Sequence, residues 1–83
     1  MREYVLDGRK MLSREAAHEE LKRVLELPSY YGRNLDALWD CVSTMKGRVV
    51  LTYADCMEEA LGSYGELLEK VFTDAETLEF SKA

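Results

Sequence analysis

The sequence predicts an α/β fold, a three-stranded parallel sheet packed against three to four helices. Three observations lead there. Short β-prone runs stand at the start, middle and end of an 83-residue chain. Between them lie segments whose apolar residues recur at helical spacing. Strands so far apart in sequence cannot form tight hairpins and pair in parallel through right-handed crossovers. A chain of this length makes one domain, residues 1–83, and buries only about 60–65% of its unfolded surface, enough for one small core.

The elements follow in order. Arg2–Asp7 reads as a strand, with Tyr4, Val5 and Leu6 suited to a pleated, half-buried surface. Asp7-Gly8 turns the chain. Ser13 is a helix N-cap, Glu15, Glu19 and Glu20 populate the early turns, and Ala17, Leu21, Val24 and Leu25 share one face. Pro28 ends this helix. Asn34 caps a second helix running to about Met45, with Gly47 just past its end. Arg48–Tyr53, with Val49, Val50 and Leu51 consecutively apolar, reads as a central strand buried on both faces. Asp55 and Ser63 are expected to cap two further helices, the second burying Leu67, Leu68, Val71 and Phe72. Thr77–Lys82 is the last strand, with Leu78 and Phe80 pointing the same way.

Composition excludes several classes. No apolar run approaches the roughly 18 residues of a membrane span, and the N-terminus lacks the pattern of a secretory signal, so a cytoplasmic protein without a membrane partner is expected. Cys41 and Cys56 have no C-x-x-C spacing and read as reduced thiols. The net charge of −5 is uneven. Residues 1–53 hold nine Lys/Arg against eight Asp/Glu (+1), whereas residues 54–83 hold two against eight (−6). That sign argues against nucleic acid as a partner. It favours a cationic one if the acids gather on one face.

Such a face is legible in residues 34–45. At 100° per residue, Leu35, Leu38, Trp39, Val42 and Met45 fall within roughly 120°, while Asp36, Asp40, Ser43 and Thr44 fall within roughly 100° on another side. Trp39 sits on the border. Asp36 lies near the helix N-terminus, where the dipole favours a negative charge. Asp40 lies mid-helix, is a poor helix former and repels Asp36 at i,i+4. Tyr30, Tyr31 and Trp39 beside these acids match the composition of interface hot spots, although tyrosines also serve as core.

Neighbouring carboxylates on one convex helix cannot flank a sugar as a glycosidase pair must. The single histidine, His18, lies on another helix and is expected at or near the surface. There is no nucleophile elbow, phosphate-cradling loop or metal-ligand spacing. The chain is therefore expected not to be an enzyme, and to use no cofactor, metal or small-molecule substrate.

The run Leu27-Pro28, Tyr30-Tyr31-Gly32 and Asn34-Leu35-Asp36-Ala37-Leu38-Trp39-Asp40-Cys41 strongly resembles the barstar family, intracellular inhibitors of barnase-type bacterial ribonucleases, and a looser match extends over almost the whole chain. The resemblance implies a small basic ribonuclease as protein partner. It implies that the Asp40 carboxylate enters the enzyme's active site in place of an RNA phosphate, and that Asp36 pairs with a basic residue at the rim. Tyr30 would pack on the active-site histidine, Asn34, Trp39 and Ser43 would be contacts, and Asp74 would complete the acidic patch. An immunity protein to a ribonuclease toxin domain, or an adaptor binding another basic protein, would use the same face. The chain departs from the family at four places. Arg33 replaces an acid and is expected to pair with Asp36 at i,i+3. Ser43–Arg48 is one residue shorter, placing Met45 near a contact tryptophan. Asp74 is shorter than the family glutamate, and the connection before the last strand is reduced.

Overall fold

The architecture was obtained as a computed structural model, described over residues 2–83. The strands β1 (Glu3–Asp7), β2 (Gly47–Thr52) and β3 (Leu78–Lys82) form one sheet in the order β1-β2-β3, all parallel. Helices α1 (Arg14–Leu25) and α2 (Leu35–Val42) connect β1 to β2, and α3 (Ala54–Leu61) and α4 (Ser63–Asp74) connect β2 to β3. The predicted fold class is therefore the observed one, with β2 central.

Local chemistry sets the joints. The Asp7 carboxylate accepts from the Arg9 amide at 2.9 Å and winds Gly8–Lys10 into a short 3-10 turn. The Ser13 hydroxyl accepts from the Ala16 amide at 3.0 Å, capping α1 as expected. Glu26, in the left-handed region at φ 55, closes α1 ahead of Pro28. The N-terminal ends of α3 and α4 differ from expectation. Tyr53 at φ 51 swings the chain out of β2 directly into α3, so Asp55 lies inside the first turn rather than at the cap. Gly62 makes the corresponding break before α4, and Ser63 is the first helical residue.

The sheet is buried on one face only, which corrects the reading of β2 as covered on both. Tyr4, Leu6, Val49, Leu51 and Leu78 point into the core, where Leu21, Leu38, Met57, Leu68 and Phe72 meet them from the helices. Phe72 stacks on Phe80 with ring centroids 5.5 Å apart. On the outer face Arg48 lies in register between Glu3 and Glu79, 3.1 Å from the Glu79 carboxylate and 3.8 Å from that of Glu3. Val5, exposed, and Val50, half-buried, are the next cross-strand pair. Parallel sheets are ordinarily covered on both faces. Here the four short helices all lie over one of them, so the sheet alternates in burial as an antiparallel one does. Leu67 is the other departure, since α4 buries Leu68 and Phe72 but leaves Leu67 51% exposed.

Gly8 is the tightest approach in the fold. A Cβ there would lie 2.0 Å from the Tyr53 carbonyl oxygen and 2.9 Å from that of Thr52. Gly8→Ala is expected to push the 3-10 turn off the β2–α3 junction and to destabilise by about 1–3 kcal/mol, as overpacking of rigid backbone does. A lowered urea midpoint at unchanged m-value would report it.

Candidate functional site

Helix α2 has only eight residues. The Asn34 side chain accepts from the Ala37 amide at 2.7 Å and donates to the Gly32 carbonyl at 3.1 Å, which caps the helix and closes the preceding loop with one residue. Leu38 and Val42 are fully buried beneath it. The helix ends at Val42 rather than near Met45. The Ser43 amide still bonds to the Trp39 carbonyl, and the Met45 amide then closes a turn on the Val42 carbonyl. Met45, half-buried, packs against the core, as its place on the apolar side implied.

The loop before α2 is fastened to the rest of the molecule through a buried relay. His18, 1% exposed, lies 2.6 Å through Nδ1 from the Tyr31 hydroxyl and 2.7 Å through Nε2 from that of Tyr64. One imidazole thereby joins α1, the loop and α4, where the sequence reading expected a surface or half-buried histidine. A neutral ring satisfies both contacts, donating at one nitrogen and accepting at the other. Burial, with the nearby Arg33 charge, holds the His18 pKa below its ordinary value, and burial pushes the Tyr31 and Tyr64 hydroxyls up. Arg33 corrects a second expectation. Held in the left-handed region at φ 54, it pairs with Glu19 of α1 rather than with Asp36.

Asp36 and Asp40 are thus left exposed one turn apart, and neither has an ion-pair partner among the described residues. Four of the C-terminal acids behave differently. Glu58 and Glu69 share Lys82 at 3.0 and 3.2 Å, Glu79 faces Arg48, and Asp74 lies 3.1 Å from Lys70. Half of the eight acids in residues 54–83 are therefore answered by a cation, while Asp55, Glu59, Glu66 and Glu76, like Asp36 and Asp40, have no ion-pair partner among the described residues.

Two clefts flank the helix. One, of about 220 Å³, brings Asp40 together with Tyr30, Tyr31 and Cys41. Tyr30 is 86% exposed, whereas its neighbour Tyr31 is buried, so the two tyrosines divide the roles of contact and core. The Cys41 thiol is raised in pKa by burial and by Asp40, and both cysteines are free. The other cleft, of about 260 Å³, gathers Asp36, Trp39 and Asp74 with Leu67 and Lys70 of α4. Six of the seven expected site residues are exposed: Tyr30, Asn34, Asp36, Trp39, Asp40 and Asp74. Ser43 is half-buried, and its hydroxyl turns back to the Asp40 carbonyl at 3.3 Å. Among the described residues no three His, Cys, Asp or Glu side chains gather as a metal site would require.

Sequence reasoning missed His18, Tyr64, Glu20 and Leu67. His18 shares a helical face with Leu21 and Leu25 at i+3 and i+7, a signal that could have placed it inside. Glu20 could not have been found that way. It is buried, accepts from the Asp7 amide at 3.1 Å and from Arg23 at 2.8 Å, and so ties β1 to α1 across thirteen residues.

The fold and this face define an α/β protein that presents an acidic helix with aromatic flanks. Compared with known proteins, residues 1–81 match the family model described as Barstar (barnase inhibitor). A Bacillus subtilis (strain 168) protein named "Putative ribonuclease inhibitor YrdF" is 39% identical over 79 residues, which cover 92% of this chain and 87% of that protein. The chain belongs to the barstar family. That is a family of inhibitors, and the chain is not an enzyme.

The relay carries a pH dependence with a definite sign. The unfolded chain protonates His18 near the ordinary 6.5, and the folded chain only at lower pH. His18 therefore contributes stability in full above about 6.5, and that contribution is lost as pH falls through the lower folded value. An imidazolium would also present two donors, leaving one tyrosine hydroxyl hydrogen without its acceptor. Urea midpoints at pH 7.5 and 5.5 are expected to fall on acidification in the wild type, and to fall less in His18→Gln.

Proposed function

We propose that this chain inhibits a small, basic, barnase-like bacterial ribonuclease in the cytoplasm of the cell that makes it, binding 1:1 and plugging the enzyme's active site with the acidic face of α2. The observation that carries the reading is the Asp36–Asp40 pair, exposed on α2 without cationic partners, on a scaffold of the barstar family. The name of the Bacillus relative supports the ribonuclease as partner class.

The chemistry follows from what a ribonuclease active site must contain. It binds a phosphodiester with cationic side chains, and a carboxylate can occupy the same positions. Asp40, in the cleft beside exposed Tyr30, supplies that carboxylate, and several guanidiniums around it would make charge-assisted hydrogen bonds that repay its desolvation. Tyr30 offers an amphipathic ring to a histidine or a base-binding surface. Asp36 works at the rim, where charges steer encounter more than they hold the complex, a behaviour for which barnase and barstar are themselves the worked case. Asn34 shapes the loop as well as touching the partner. Trp39 and Asp74 extend the contact onto the second cleft, and Ser43 contributes its edge near Asp40.

Titrating the chain against a panel of small basic ribonucleases, barnase included, tests the reading. Stoichiometric inhibition by the wild type is expected, with Asp40→Ala weakening the complex by about 2–5 kcal/mol because the enzyme's cations are left buried and unpaired. Association should slow as salt rises, whereas the dissociation rate changes little. Inhibition that survives Asp40→Ala would move the site elsewhere. Absence of inhibition across the panel, with a basic non-ribonuclease bound and not displaced by nucleotide, would establish an adaptor instead.

A further inference from the structure

The cleft between α2 and α4 has a chemistry different from that of the Asp40 cleft. Its walls are Trp39 on α2 and Leu67 on α4, respectively 41% and 51% exposed, and its floor is Leu35 and Val71. A single exposed leucine is ordinary on a protein surface. Leu67 is not isolated, however, since it lines one cleft with the chain's single tryptophan. That cleft shares Asp36 and Trp39 with the face proposed above to bind the ribonuclease.

The charges at its mouth are mixed. Asp36 lies on one side, and on the other Lys70 holds Asp74 at 3.1 Å. A cation entering here meets Lys70, and an anion meets Asp36. An apolar group is opposed by neither, and it gains a polar rim that excludes water from an apolar centre, the arrangement found around binding hot spots. At about 260 Å³ the cleft has room for one bulky side chain.

Resting on the ribonuclease-inhibitor reading, we propose that this cleft seats a bulky apolar side chain of the ribonuclease, and that Leu67 is a specificity-determining residue. α2 then binds with two chemistries. The Asp40 side selects for cationic active sites in general, and the α4 side selects among them by an apolar contact.

The test uses the full chain and the ribonuclease from the panel that it inhibits best, with Leu67→Ser, Lys70→Ala and Asp40→Ala compared with wild type. Leu67→Ser is expected to weaken inhibition about tenfold, the size of a modest hot-spot truncation. The loss should lie in faster dissociation at unchanged association, because an apolar contact acts after encounter. Since Leu67 is exposed, the urea midpoint should not move, which separates a lost contact from a damaged fold. Trp39 emission gives a second readout, shifting to the blue in the wild-type complex and less in that of Leu67→Ser. Lys70→Ala should leave affinity for this enzyme within a factor of two or so, as exposed ion pairs contribute little. A Leu67→Ser variant as potent as wild type, while Asp40→Ala has lost inhibition, overturns the cleft proposal alone. A Lys70→Ala variant that binds about tenfold more tightly overturns it too, because freed Asp74 would then be receiving a cation. Failure of the wild type to inhibit any enzyme overturns both readings together.

Discussion

An eight-residue helix in water does not hold its shape. Nucleation is unfavourable, and isolated helices shorter than about 12–15 residues are marginal even with the best sequences. Everything this protein presents on α2 therefore depends on how α2 is attached. Two fully buried side chains, Leu38 and Val42, bind it to the core, each contributing about 1.5–3 kcal/mol by burial. The Asn34 cap adds about 1 kcal/mol. The loop ahead of it is fastened from below by Tyr31 through His18 to Tyr64, and from the side by Arg33 to Glu19. These attachments rigidify the ridge before any partner arrives, so less ordering remains to be done on binding.

The acidic pair works against the helix that carries it. Asp36 and Asp40 repel one another by a few tenths of a kcal/mol, and aspartate at a mid-helix position is unfavourable in its own right. Elsewhere several carboxylates are answered, with Lys82 between Glu58 and Glu69, Arg48 between Glu3 and Glu79, and Lys70 on Asp74. Leaving two of them unanswered at adjacent turns is the kind of local cost that proteins keep where activity requires it. Arg33, a base set within the acidic run, reaches back to α1 and so does not cancel this charge pair. Its left-handed backbone conformation is what aims it there.

The legible parts of the fold were those with strong local chemistry. Ser13 and Asn34 capped the helices they were expected to cap, because a side-chain oxygen placed before a helical run meets an unpaired amide in any context. The acidic face of α2 followed from 3.6-residue periodicity, and the family resemblance from thirteen positions between Leu27 and Cys41. The errors fell where distant chain decides the outcome. Val49, Val50 and Leu51 looked covered on both sides because apolar runs usually are, yet the outer face leaves Val5 exposed and Val50 only half-buried. Leu67 belonged to an apolar stripe by spacing, but it lies in the open cleft between α2 and α4. Asp55 and Ser63 were good capping residue types in positions where Tyr53 and Gly62 had already turned the chain.

By itself, then, the sequence determined the element order, the parallel pairing, the two true caps and the carboxylates sharing one face of α2, since each rests on interactions within about one helical turn or on chain connectivity. Tertiary structure alone decided that His18 is a buried junction, that Arg33 serves α1 instead of neutralising Asp36, and that Asp74 shares a cleft with Trp39. Those outcomes depend on distances between residues 13 or more positions apart. Packing sets such distances, and no local periodicity encodes them.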